Sequence, residues 1–156
     1  MSESRKTVPV DGSTGSIGHL VVEDAVHKGY AVRALVRMPS KAHKFPAHVE
    51  VISGDVTRPE TLTAAVSGVD AIVFTLGSDG QGKVGPETVD YGGVRNILRT
   101  LGPQKPRIAL MTSIGVTNRE GFHNRSTESH DWKRRAERLV RGSGLPYTIV
   151  RPGWFD

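Results

Sequence analysis

The sequence contains no cysteine, which excludes disulfides and thiolate chemistry and makes a reducing, cytoplasmic compartment the simpler expectation. No apolar run approaches the ~18 residues that a membrane-spanning helix needs, and the opening MSESRKTV lacks the apolar core of a secretory signal. Internal repeats, low-complexity tracts and linker-like stretches are missing too. Aromatic side chains amount to 6%. The basic stretch near the end of the chain carries one of them, Trp132, on its apolar side, so nucleic acid finds no stacking platform there. The formal net charge of +5 therefore reads as suited to a polyanionic cofactor, with neither nucleic acid nor membrane as a partner. No histidine pair has metal-ligand spacing beside other credible ligands, so no metal is expected.

What is present is an alternation. At 156 residues the chain reads as one domain, 1–156, able to bury roughly 70% of the surface its unfolded form exposes. Short β-rich runs fall at 7–10, 30–36 (YAVRALV), 49–53 (VEVIS), 70–75 (DAIVFT), 107–112 (RIALMT) and 147–151 (YTIVR). They are nearly continuous in apolar residues, as strands covered on both faces are. Helical stripes lie between them: Ile17, Val21, Val22, Ala25 and Val26, ending at Gly29; then Leu62, Ala65 and Val66. Thr57 and Glu60 stand before the second stripe in capping-box spacing, with Pro59 near its first turn. Further on come Val89, Val94, Ile97, Leu98 and Leu101, stopped by Gly102-Pro103, and finally Trp132, Ala136, Leu139 and Val140. Strand and helix in strict alternation give an α/β fold: a doubly wound parallel sheet with right-handed crossovers.

Between the first strand and the first helix lies DGSTGSIG, with Gly12, Gly15 and Gly18. Such a turn points backbone N–H groups and a helix N-terminus at a phosphate with no Cβ in the way. Gly12 would make the tight turn, Gly15 would let a pyrophosphate approach, and Gly18 would let the helix pack on the strand. Ser13, Thr14 and Ser16 could add hydroxyl donors; the alternative is a tight loop with no ligand. The second strand ends not in the acid that holds an NAD ribose but in LVRMPSK, with Arg37 and Lys41. A cation there suits a 2′-phosphate, favouring NADP over NAD, unless the loop is merely basic and solvated. After the third strand, Asp55 is placed either to accept from an adenine amino group or to stabilise a turn, and the two are compatible.

The segments DGSTGSIG, GDVTRPETLTAAVSGVDAIVFTLGS, VDYGGVRNIL, LMTSIGVTN and KRRAERLVRGSGLPYTIVRPGWF together resemble the atypical short-chain dehydrogenase/reductases. The similarity is to the NAD(P)H-binding subgroup of flavin-reductase-like, biliverdin-reductase-B-like and nitrogen-repression-regulator-like proteins. This resemblance implies a Rossmann fold of strand order 3-2-1-4-5-6 with NADP across the carboxyl ends of the strands. It implies a pyrophosphate loop of Gly12, Thr14, Gly15, Ser16, Ile17 and Gly18, a 2′-phosphate contact at Arg37, and an adenine edge at Asp55 and Val56. Thr75, Leu76 and Gly77 would lie beneath the ribose, Ser113 would face the nicotinamide, and Pro152 and Gly153 would lie near the carboxamide.

Four departures accompany the resemblance. Members of the wider family with alcohol-dehydrogenase chemistry place a tyrosine four residues before a lysine; here Lys133 is preceded at that spacing by Ser129, whose hydroxyl is too weak an acid to replace it. Lys133 is then either a catalytic, ribose-holding cation or one member of a solvated face with Arg134, Arg135, Arg138 and Arg141. Pro9 would remove a ladder bond from a central strand. Asp11 puts a carboxylate just before the phosphate loop, either repelling the coenzyme or buried in the sheet. Relatives continue for several tens of residues beyond the RPGWFD at which this sequence stops, so a chain truncated after strand six, without most of the substrate wall, is expected.

The expected activity is hydride transfer from NADPH to a flavin, quinone or other conjugated small-molecule acceptor, the protein supplying position and exclusion of water. His123 and His130 are either proton donors to that acceptor or ordinary surface residues. The alternative function is a redox sensor that binds NADP without turnover. A monomer or weak homodimer is expected in either case.

Overall fold

The computed structural model describes residues 4–78 and 81–155. In chain order, β1 (Thr7–Asp11) leads into α1 (Gly18–His27), β2 (Ala31–Val36) into a 3₁₀ turn (Pro39–Lys44), and β3 (Glu50–Ser53) into a second 3₁₀ turn (Pro59–Thr61) and α2 (Thr63–Val66). β4 (Ala71–Phe74) precedes a π-helical segment (Pro86–Tyr91) that continues as α3 (Gly92–Thr100). β5 (Arg107–Met111) is followed by a 3₁₀ turn (Ile114–Thr117), α4 (Phe122–Thr127), α5 (Ser129–Gly142) and β6 (Tyr147–Val150). The strands pair in parallel in the order β3-β2-β1-β4-β5-β6, the doubly wound arrangement that the alternation predicts.

Two apolar layers enclose the sheet. On one face Val10, Val32 and Ala34 pack with Val22 and Val49, and Val21, Ala25 and Val26 of α1 close over them. On the other, Ile72, Phe74, Ile108 and Leu110 meet Leu62, Ala65 and Val66, then Val94 and Ile97 of α3, and Ala136 and Val140 of α5. The expected stripes are thus the buried ones. The second helix begins differently from its expected capping box. Thr57 N and Oγ1 both donate to Asp55 Oδ1 at 2.8 Å, and Glu60 pairs with Arg58, because Asp55 offers the Thr57 groups a nearer acceptor. The end of α2 is instead held by Arg33, whose guanidinium donates to the Ala64, Ala65 and Ser67 carbonyls and pairs with Glu50.

Strand parity accounts for Pro9. The Thr7 and Asp11 carbonyls accept from Asp70 N and Thr75 N at either end of β4, whereas the Lys6 carbonyl accepts from Ala31 N beside β2. Odd positions of β1 therefore turn their main chain toward β4, and Pro9 brings no N–H there. The β1–β2 ladder accordingly runs from Thr7 to Val10, while β1–β4 register is confined to Val10–Val73 and Asp11–Phe74.

Asp11 is buried in the sheet. Its carboxylate is sealed from solvent, and neither oxygen has a hydrogen-bond partner. Burial alone pushes its pKa up to about 7, because the charged form has lost its water and gained no partner. Nothing in the structure explains why a carboxyl is there. The folded protein holds this proton up to about pH 7, whereas the unfolded chain releases it in the ordinary carboxylate range. Raising the pH through that window therefore favours unfolding, by up to about 4 kcal/mol in total. Asp11→Asn keeps the shape without the titration, so its stability relative to wild type should grow by about that amount between about pH 4 and pH 8. Urea unfolding across that range measures it; a flat difference would show that Asp11 ionises like an ordinary carboxylate.

Candidate functional site

A cleft of about 590 Å³ runs along the carboxyl ends of all six strands. From β1 it takes Gly12, Thr14, Gly15, Ser16 and Ile17; from β2, Leu35 and Arg37; from β3, Gly54, Asp55 and Val56; from β4, Thr75, Leu76 and Gly77. The segment after β5 contributes Thr112, Ser113, Ile114 and Gly115, that after β6 Pro152, Gly153, Trp154 and Phe155, and α5 contributes Ser129, His130 and Lys133. The expected site residues line it except Gly18, which is buried beneath the loop, and Ser13, which points away from it. The Lys41 side chain lies outside the described residues.

The loop after β1 is shaped by contacts that tolerate only glycine. Gly12 has φ +81°, and a Cβ on it would stand 2.7 Å from the Thr75 carbonyl oxygen. A Cβ on Gly18 would fall 1.9 Å from the Gly12 carbonyl oxygen, so α1 can start where it does only because residue 18 has no side chain. Thr75 closes the corner, donating both N–H and Oγ1 to the Asp11 carbonyl at 2.9 Å. Ser13 is not a ligand donor; its hydroxyl is buried and donates to the Leu35 carbonyl at 2.8 Å. Thr14 and Ser16 remain exposed on the cleft.

Arg37 stands exposed at the end of β2 with no carboxylate partner among the described residues. Asp55 uses Oδ1 for the turn at Thr57, leaving Oδ2 without a hydrogen bond among the described residues. Val56 is fixed by Asn96, whose Nδ2 donates to its carbonyl at 2.8 Å. Gly93 lets α3 approach, since a Cβ there would lie within 2.9 Å of both Leu76 and Val56 side-chain atoms.

At the β5–β6 end, Ser113 begins the 3₁₀ turn and its Oγ accepts from Gly115 N at 3.4 Å. Lys133 is not part of a solvated face. Its Nζ donates to Asp90 Oδ1 at 2.6 Å, and the Asp90 carboxylate, almost wholly buried, also accepts from the Ser78 hydroxyl. Arg134 is likewise tied down, to Asp131 and the Val116 carbonyl, whereas Arg135 and Arg138 are exposed as expected. Ser129, at the position of the missing tyrosine, is buried and lines the cleft. The loop after β6 is steadied by Glu137, a buried carboxylate that accepts from Arg151 Nε at 2.9 Å and Nη2 at 2.6 Å, and from Thr112 Oγ1 at 2.7 Å. Burial raises the Glu137 pKa, but Arg151 and Thr112 outweigh it and hold the group below its ordinary value. Sequence reasoning missed Asp90, Asn96 and Glu137. Their signal was present: each is a polar residue set inside an apolar helical stripe.

Bare main chain at the mouth of α1, an unpaired cation at the end of β2 and a cleft spanning all six strands are what a phosphorylated dinucleotide requires. Residues 12–156 match the model of a protein family described as NAD(P)H-binding. The chain belongs to this family. It is 32% identical to rice protein TIC 62, chloroplastic, over 94% of its own length but only 35% of that protein's. It is 27% identical to sanguinarine reductase from Eschscholzia californica, covering 99% of this chain and 71% of the reductase. A short-chain dehydrogenase from Burkholderia cenocepacia, solved in complex with NADP, superposes over the whole chain and 75% of its own with a TM-score of 0.82 at 20% identity. No helix among the described residues is long and apolar enough to cross a membrane.

Among the glycines of this loop the tightest requirement falls on Gly18. Gly18→Ala must push the Gly12 carbonyl aside, and should weaken NAD(P)H binding at least tenfold, a loss of ~1.4 kcal/mol, while the far-ultraviolet spectrum keeps its helical content. Calorimetric titration measures it; wild-type affinity would show that the Gly12–Gly18 contact does not shape the phosphate site.

Proposed function

We propose that the protein is an NADPH-dependent oxidoreductase that reduces a flavin, quinone or other conjugated acceptor. The observation that carries this reading is one continuous cleft linking the glycine loop and Arg37 at one end to Ser113, Ser129 and Lys133 at the other. The loop amides after Gly12 hold a pyrophosphate, Arg37 pairs with a 2′-phosphate, and Asp55 Oδ2 accepts from an adenine amino group. Bound NADPH supplies a hydride. The Ser113 hydroxyl, whose oxygen already accepts from Gly115 N, donates toward the nicotinamide side. Lys133, fixed by Asp90, turns its remaining N–H donors to the ribose. Pro152 and Gly153, held by the Glu137–Arg151 pair, keep the carboxamide side in place. Sanguinarine reductase among the relatives supports reduction of a small molecule. The cytoplasm, with the chain as monomer or weak homodimer, completes this reading, although the rice relative is named as chloroplastic.

A second reading, NADP sensing without turnover, is favoured by one observation: Ser129 occupies the tyrosine position. NADPH oxidation followed by nicotinamide absorbance with FMN and with a simple quinone separates the two; tight binding without oxidation of NADPH by either would leave only the sensor. Arg37→Glu replaces the 2′-phosphate partner with a repelling charge and should weaken NADPH at least tenfold, since charge-assisted bonds are worth ~1.5–3 kcal/mol. NADH binding should be little changed. Equal loss for both coenzymes would remove the preference for NADP.

A further inference from the structure

Resting on the oxidoreductase reading, we propose that His130 protonates the oxygen of a carbonyl-bearing, quinone-type acceptor as it is reduced, in place of the absent tyrosine. The ionisable side chains lining the cleft are Arg37, Asp55, His123, His130 and Lys133. Arg37 and Asp55 belong to the β2–β3 end. Lys133 is committed to the buried Asp90, and serine is too weak an acid to serve. Only the two histidines remain at the β5–β6 end, and histidine is the side chain that gives up a proton near neutrality.

The pair is built into the fold. Glu128, at φ +60°, makes the joint between α4 and α5. Asn124 pins that joint, its Oδ1 accepting from Asp131 N at 3.0 Å and its Nδ2 donating to the Arg119 carbonyl at 3.0 Å. The joint brings the rings of His123 and His130 to 5.1 Å between centroids. The His130 ring rests directly on Gly115, where a Cβ would stand 2.2 Å from its Cε1. Its Nδ1 is sealed from solvent without a hydrogen bond among the described residues, so a proton leaving for the cleft leaves from Nε2. The titratable groups facing His130 are His123 from α4 and Lys133 and Asp131 from α5; the turn Ile114–Thr117 offers none. Burial, then His123 and Lys133, lower the His130 pKa, with the Asn118 main chain and Asp131 pulling the other way.

The step balances. NADPH loses a hydride and becomes NADP⁺; the quinone gains that hydride's two electrons and one hydrogen. The second hydrogen comes as a proton from Nε2 of the His130 imidazolium, whose N–H bond breaks as the acceptor O–H bond forms and which is left as neutral imidazole. Water in the open cleft then reprotonates His130. The product is the hydroquinone.

The test uses the full chain with NADPH and a simple benzoquinone. Because burial and the neighbouring His123 and Lys133 hold His130 below its ordinary value, kcat should fall as pH rises through the range below about pH 6.5, the ordinary histidine value. His130→Gln should lower kcat about a hundredfold, within the range for loss of a general acid, and flatten that slope, with NADPH affinity within twofold of wild type. Gly115→Ala changes no titratable group but drives a methyl into the imidazole, and should produce the same flattening. Ring-proton NMR of the NADP⁺ complex adds a readout without turnover: added hydroquinone should shift the His130 titration, and an unmoved His130 titration would count against the contact. Wild-type kcat and slope in both variants, with quinone still reduced, would overturn the proton-donor role alone. Failure of the wild type to reduce quinone despite binding NADPH would overturn the oxidoreductase reading, and the proton-donor role with it.

Discussion

The structure turns on one close contact, the approach of the Gly18 Cα to the Gly12 carbonyl. It sets where α1 leaves β1, and so decides how the first main-chain amides are presented at the head of the sheet. Thr75 fixes the other side of that corner by binding the Asp11 carbonyl twice. The joint matters more here than in an uninterrupted strand, because Pro9 has already removed a donor from the β1–β4 seam. Two registered pairs, Val10–Val73 and Asp11–Phe74, carry the alignment of the sheet halves at the point where the cleft opens. The unpaired Asp11 carboxyl is destabilising at the same place. A strand buried on both faces, with Val10 and Phe74 fully enclosed, tolerates it because the apolar burial around it is large on the scale of one carboxyl's desolvation.

The far side of the cleft is held by buried polar groups instead of glycines. Asn96 reaches from α3 to Val56, Asp90 from the π-helical segment to Lys133 and Ser78, and Glu137 from α5 to Thr112 and Arg151. Each ties a helix that covers one apolar layer to a segment that lines the cleft. Removing one partner from such a pair leaves a desolvated charge or amide, which is far more costly than the pair's net contribution. These contacts therefore fix geometry more than they add stability, and they do so where a ligand must be gripped at defined points.

The architecture was readable in the sequence because period alone carries it. Strands such as YAVRALV and DAIVFT are apolar on both faces, and the stripes through Val22, Ile97 and Val140 name the buried sides of three helices. The glycine spacing marked the tight turn between β1 and α1 for the same reason: close main-chain contacts such as Gly18 on the Gly12 carbonyl need residues without a Cβ. What was not readable depends on which of several local partners wins. Thr57 and Glu60 have capping-box spacing, yet Asp55 two residues earlier captures both Thr57 donors. Ser13 looks like a ligand hydroxyl and is instead the tether to Leu35. Lys133 looks solvated among arginines, and only the fold brings Asp90, 43 residues away, to meet it. Pro9 became intelligible once carbonyl directions showed which neighbour lost a bond.

Charge along the cleft gives it a direction. At the β2 end Arg37 has no carboxylate against it among the described residues, and the mouth of α1 adds the partial positive charge of unsatisfied N–H groups. At the β5–β6 end the cation that lines the cleft, Lys133, is neutralised by Asp90 at 2.6 Å. Arg151 is similarly matched by Glu137. Lining side chains there, apart from the histidines, are uncharged, and Ile114, Trp154 and Phe155 make the lip apolar. On the proposed reading, a molecule with phosphates at one end and a flat ring at the other would be drawn in with its phosphates toward Arg37. The opposite arrangement would strand its anionic groups beside an apolar lip and an already paired ammonium. In the proposed function, the orientation that brings a ring to Ser113 would thus follow from a cation with no carboxylate partner among the described residues at one end and a paired one at the other, with no contact to the ring itself required to impose it.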